Sequence, residues 1–177
     1  MIESLSGAHT HSYNSQLMRK NIVLEARSWL GTRYQHQGRR KINVTDKGGV
    51  DCLGLVMGVA QTLQITDRHG QPFLQHDHRQ YSKQPDGQVM MHCLREAMRE
   101  VSREKMGEGD VLCLSIDGNA QHLAFCSRNP LHWGGEWGLI HAYAPAKMVV
   151  EHRLDEAWKA RICAVFSVID EGVNNVS

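Results

Sequence analysis

The sequence predicts an α+β domain, with helices in the N-terminal half packed on one antiparallel sheet of roughly five strands. Apolar residues recur at helical spacing in three stretches up to about residue 101. After "MGEGD" the period drops from about 3.6 to 2. Helices first and strands afterwards is the order of an α+β domain rather than of alternating βαβ units.

The first helix is expected over Leu17–Leu30, with Asn14 or Ser15 as cap, Ile22, Val23, Ala26, Trp29 and Leu30 on one face, and Gly31 as the stop. Residues 1–15 are polar and aperiodic and read as a flexible arm. Residues 31–50 read as a loop, and its run "RRK" at 39–41 as solvated charge. The second helix should start at Asp51 or Cys52, with Leu55, Val56, Val59 and Leu63 on its apolar side. Gly54 and Gly58 each weaken that helix by about 1 kcal/mol against alanine, which points to close packing. Asp86 is placed to cap a third helix with the stripe Met90, Cys93, Leu94, Ala97, Met98 and Val101. The strands follow as "DVLCLSI", "QHLAFCS", "GLIHAY", "KMVVEH" and "RICAVFSV". Residues 170–177 read as a flexible tail.

Composition narrows the function classes. The chain has 177 residues, 41% hydrophobic and 22% charged, which suits one soluble domain with a real core. A formal net charge of +1 gives no field for nucleic acid or an anionic membrane. No apolar run reaches the ~20 residues of a membrane span, and the N-terminus lacks the basic and apolar regions of a signal peptide. Synthesis in the cytoplasm without a signal peptide is the expectation. The five cysteines form no CxxC pair and do not read as a disulfide framework.

Cys52 differs from Cys93, Cys113, Cys126 and Cys163 in its position. A cysteine at a helix N-terminus has unpaired N–H groups and the helix dipole beside it, and both favour the thiolate. The other four sit mid-helix or in strands and read as small buried hydrophobes. With eleven histidines, a chance partner is easy to find. His9, His11, His76 and His78 fall in polar stretches and read as solvated, whereas His122 and His141 fall in neighbouring strands. A register that sets 122 opposite 141, with the turn around Ser127–Glu136, puts both on one side of the sheet. Asp51 reads first as the helix cap and second as a contact for a substrate amine.

"ARSWLGTRYQHQG", "GVDCLGLV", "GDVLCLSIDGNAQHLAFCS" and "GLIHAY", in that order, resemble the NlpC/P60 cysteine peptidases over about residues 22–168. "PDG" at 85–87 and the strand-rich end resemble the phage-type branch. The resemblance implies a papain-like fold, a catalytic domain over 16–169, and no cofactor or metal. It implies Cys52 as nucleophile, His122 as general base and then acid, and His141 as the residue orienting the imidazole. It places the Tyr34 hydroxyl near the oxyanion and makes Asp51 a candidate at the substrate. Two positions depart from the family pattern. Leu53 stands where serine is usual after the cysteine, which removes a serine contact to substrate, and Arg33 stands where proline is common.

The implied reaction is hydrolysis of a peptidoglycan stem-peptide amide, typically between γ-D-glutamate and a diamino acid. The implied partners are that peptide and other phage tail proteins, with a virion tail as setting. Three rivals stand beside it: a catalytically silent tail or assembly scaffold of the same fold, an amidase or acyltransferase using the same Cys-His site, and a zinc hydrolase. The last lacks an HExxH or finger spacing.

Overall fold

The computed structural model describes residues 4–82, 86–129 and 134–169, with side chains from residue 13 onward. Helix α1 runs Ser4–Arg27. It therefore begins inside the stretch expected to be an arm, well before Leu17. That stretch holds no proline, and extending a helix already nucleated downstream costs little per residue. Ile22, Val23 and Ala26 form its buried stripe, and Gly31, at φ 80°, turns the chain out of the following turn.

A short hairpin follows, β1 (Arg39–Arg40) and β2 (Gly49–Val50), and leads directly into α2 (Cys52–Thr62). The two helix glycines are required by close approach. A Cβ at Gly54 would overlap the Gly38 carbonyl oxygen, and one at Gly58 would overlap the Trp29 ring. The "RRK" run is not simply solvated. Arg39 is half-buried between Asp51 and Asp77, and the Lys41 ammonium lies 2.9 Å from Glu25 and 5.6 Å from the centre of the Trp29 ring. A loop with a 3-10 turn at Phe73–His76 leads to α3 (Gly87–Ala97), whose Asp86 cap accepts from the Gln88 N–H.

The expected stripe of α3 stops at Met98. Arg99–Val101 instead forms β3, an edge strand paired with the last strand. Three residues are too few for periodicity to separate a helix end from a strand. The remaining strands are β4 (Val111–Ile116), β5 (Asn119–Arg128), β6 (Trp137–Tyr143), β7 (Met148–Arg153) and β8 (Ile162–Ser167). They form one six-stranded antiparallel sheet in the order β3-β8-β4-β5-β6-β7, one strand more than expected. A short helix α4 (Glu156–Lys159), capped by Asp155, lies between β7 and β8. The tail expected at 170–177 falls outside the described residues.

Strand alternation divides the core in two. Val111, Cys113, Leu123, Phe125, Ile140, Ala142 and Phe166 pack with the three long helices. Leu112, Leu114, Ala124, Cys126, Leu139 and Val165 pack on the other face, with Leu154, Trp137 and Trp158. His122 pairs across from Leu114, so it belongs to this second face.

The β5–β6 ladder covers only Phe125–Arg128 against Trp137–Ile140, with Phe125 opposite Ile140. The register thus differs by two residues from one that sets 122 opposite 141. An even shift keeps every side chain on its face. Beyond Phe125 the strands part. That opening positions the site.

Candidate active site

Cys52 is the first residue of α2, and Asp51 is its cap. Asp51 is 2% exposed and spends both carboxylate oxygens. Oδ1 accepts from the Gly54 N–H at 2.9 Å and from Arg39 at 3.2 Å. Oδ2 accepts from the Gln37 N–H at 2.6 Å and from the Tyr81 hydroxyl at 2.5 Å. Burial, together with the Asp51 carboxylate, pushes the Tyr81 phenol far above its ordinary value, so it stays a donor. Arg39 is held in turn by Asp77, 2.9 Å from its Nε. The cap is therefore one member of a buried network, and it ties the start of α2 to the hairpin and to the loop carrying Tyr81.

A cleft of about 780 Å³ opens at this end of the sheet. Its wall includes Tyr34, Asp51, Cys52, His122, Leu123 and Tyr143. Residues of both sheet faces line it, because β5 and β6 have separated there: Leu123 belongs to the helix side and His122 to the other. Its volume falls within the range of small-ligand and peptide sites.

The sulfur of Cys52 meets competing influences. The N–H groups of Leu123, Leu53 and Cys52 itself favour the thiolate, but burial and the neighbouring Asp51 charge outweigh them and push the thiol up to about 12. Helix-end placement alone had suggested the opposite sign. Burial likewise lowers His122 to about 4, against a smaller raising effect of Asp51. The resting pair is a neutral thiol and a neutral imidazole, and among the described residues no hydrogen bond joins them. Unliganded sites often show such loose geometry before substrate tightens it.

Behind the cleft, His122 Nε2 lies 2.7 Å from His141 Nδ1. His141 is 0% exposed and stacks on Tyr143 with ring centres 4.9 Å apart and planes 10° from parallel. It does not line the cleft; it reaches the cleft only through His122. Tyr34 is positioned by its N–H bond to the Lys147 carbonyl at 2.8 Å. Burial raises its phenol, with Cys52 and Asp51 adding to the shift.

The structure thus brings Cys52, His122, Tyr34 and Asp51 to one cleft and sets His141 against His122. Asp51 acts as cap and network hub, each of its carboxylate oxygens accepting two hydrogen bonds. Reasoning from the sequence alone missed Arg39 and Tyr81, which hold Asp51, and His152 on β7, whose Nε2 lies 3.0 Å from His141 Nε2. Alternation within "KMVVEH" was the available signal for His152, since it shares a face with Val150, the partner of His141. Tyr81 lies in an aperiodic loop and gave no signal. His76, expected to be solvated, pairs with the buried Asp67 at 2.9 Å. Among the described residues no group of three or more His, Cys, Asp or Glu is arranged to hold a metal ion, and no helix is long and apolar enough to cross a membrane.

No protein-family model matches the chain, and no curated protein matches it. Solved structures do. The NlpC/p60 domain of the peptidoglycan hydrolase SagA superposes with a TM-score of 0.53 at 21% identity, over 84% of this chain and 97% of that one. The P60 domain of an antigen from M. avium subspecies paratuberculosis gives 0.56 at 15% identity, over 89% and 98%. An NlpC/P60 family protein from Bacillus cereus gives 0.57 at 15% identity, over 86% of this chain and 40% of that one. These likenesses, together with the antiparallel sheet and the cysteine-bearing helix that meets it where β5 and β6 part, make the fold of this chain that of the NlpC/P60 domains.

Proposed function

We propose that this chain is a cysteine hydrolase that cleaves an amide bond in peptidoglycan stem peptides. The observation that carries the reading is the shared cleft: a cysteine at the N-terminus of a buried helix and a histidine whose far ring nitrogen is hydrogen-bonded to a second histidine. That is the arrangement nucleophilic acyl transfer needs. In this reading Cys52 gives its proton to His122 and attacks the carbonyl carbon. The Cys52 N–H and the Tyr34 hydroxyl hold the oxyanion. His122 then protonates the leaving amine, and water hydrolyses the thioester. The bond we assign is γ-D-glutamyl–diamino acid, and the setting a phage or prophage tail, with tail proteins as partners. The bond rests on the resemblance of the chain to the NlpC/P60 peptidases, and the setting on the resemblance of "PDG" at 85–87 and the strand-rich end to their phage-type branch.

A neutral thiol with no hydrogen bond to His122 favours a second reading, a tail or assembly scaffold that keeps the fold without catalysis. Incubation with defined muropeptides, followed by mass analysis, separates the two. Hydrolysis by wild type and none by Cys52→Ser supports the hydrolase. Products carrying another acyl acceptor would make it an acyltransferase. Absence of turnover on every wall fragment supports the scaffold.

A further inference from the structure

The imidazole pair behind the cleft continues outward. His141 Nε2 lies 3.0 Å from His152 Nε2, and His152 Nδ1 lies 2.9 Å from the Arg153 carbonyl oxygen. We propose that His152 is a positioning residue of this site. It is the outer end of a three-imidazole chain that sets the tautomers of His141 and His122 and takes the positive charge left when Cys52 gives up its proton. The inference rests on reading Cys52 and His122 as nucleophile and base.

A carbonyl oxygen only accepts, so the proton of His152 sits on Nδ1 and its Nε2 carries a lone pair. His141 must then donate from Nε2 to His152, which leaves His141 Nδ1 as an acceptor. His122 must donate from Nε2 to His141, which leaves His122 Nδ1 as the basic nitrogen. A single backbone carbonyl on the far side of the sheet thus decides which nitrogen of His122 can take the thiol proton.

The same chain can move charge without moving atoms far. The Cys52 S–H bond breaks and a bond to His122 Nδ1 forms. The His122 Nε2 proton passes to His141 Nδ1, and the His141 Nε2 proton passes to His152 Nε2. Each ring gains one proton and gives one until His152, which holds the net charge as an imidazolium. The return of the protons arms His122 Nδ1–H as the acid for the leaving amine.

His152 is half-buried, whereas His141 is fully enclosed, so charge is better hydrated at His152. Burial and its imidazole neighbours hold His141 down at about 2, which makes it a conduit rather than a resting place for charge. The Trp158 ring of α4 lies with its centre 5.2 Å from that of His152, where an indole can stabilise a cation. The charged and titratable groups on the elements around His152 are His141 and Tyr143 on β6, Glu151 and Arg153 on β7, and Arg161 after α4. Glu151 pairs with Arg27, Arg153 pairs with Glu136, and Arg161 lies over Trp158. Asp155 and Glu156 at the start of α4 are taken up by the cap and by Lys159.

The test uses the intact chain and three readouts. Imidazole ¹⁵N NMR of wild type should show His152 protonated on Nδ1, and His141 and His122 on Nε2. Alkylation of Cys52 by iodoacetamide at neutral pH, followed by mass spectrometry at that residue, should slow about tenfold in His152→Phe. His152→Gln should recover part of the rate, because its carbonyl accepts from His141 Nε2 but cannot carry the charge. In both variants the rise of alkylation rate with pH should move to higher pH. A His141 protonated on Nδ1, or rates and pH profiles unchanged in both variants, overturns the chain. Muropeptide cleavage by wild type with His152→Phe unchanged overturns the chain and leaves the hydrolase. The expected NMR and alkylation pattern without turnover supports the chain and overturns the hydrolase.

Discussion

His122 and His141 touch at 2.7 Å across two strands whose ladder ends before it reaches His122. The pair is diagonal, not directly opposed. A diagonal pair of imidazoles reaches where a pair of alanines could not, and the parted strands give His122 access to the cleft as well.

Removing His141 should therefore act on rate and on stability together. His141→Ala deletes a wholly buried ring that packs against Tyr143, Trp158 and His152. A loss of about 2–4 kcal/mol in urea unfolding is expected. Its turnover should fall less than that of His122→Ala, which loses the general base itself, an effect of about 10²–10⁴-fold. His141→Asn should recover part of the rate, since an amide oxygen can accept from His122 Nε2–H. Muropeptide kinetics on the folded variants check the order.

Acid should destabilise the fold through the same rings. Burial holds His122 at about 4 and His141 at about 2, while an unfolded histidine titrates near 6.5. Below that ordinary value the unfolded chain binds protons that the native rings refuse. The stability contributed by the neutral rings is complete above about 6.5 and is lost as pH falls towards the native values, at about 1.4 kcal/mol per pH unit for each ring. Urea unfolding between pH 7 and 4 measures this slope. His122→Asn together with His141→Asn should flatten it, and an unchanged slope would show that the rings titrate normally.

The cap of α2 is a second point of stress. Asp51→Ala leaves the Gly54 and Gln37 N–H groups without their acceptor and strips Arg39 of one of its two carboxylates. The expected loss is about 3–5 kcal/mol, which is large for a helix cap because two backbone N–H groups lose their acceptor and a largely buried guanidinium is left with the Asp77 carboxylate alone. Tyr81→Phe removes one hydroxyl from the same network and should cost about 1–2 kcal/mol. Thermal unfolding of both variants tests the ranking.

Gly58→Ala should destabilise despite alanine's better helix propensity. The added methyl meets the Trp29 ring, itself wedged between α1 and α2 in the core. Overpacking of this kind costs about 1–3 kcal/mol, more than the ~1 kcal/mol that propensity returns. The double variant Gly58→Ala with Trp29→Phe should recover part of the loss in the same measurement.

The sequence by itself determined where the helices and strands fall wherever an apolar pattern ran for a full element. It did so for α2 with its Asp51 cap, for α3 with Asp86, and for the five strands from Val111 to Ser167. Local hydrogen bonding and burial of one face decide such features, and both are written in neighbouring residues. Tertiary structure decided what depends on residues distant in the chain. Arg39 became an internal ion-pair partner only because β1 folds beside Asp51 and Asp77. The β5–β6 register lies two residues from the expected one, and it depends on which side chains of two separate strands share a face. The sign of the Cys52 shift followed burial, since helix-end donors lose to desolvation and to the adjacent carboxylate. His152 joined His141 because β7 lies beside β6, and which nitrogen each ring protonates is decided by a carbonyl at the far end of that contact.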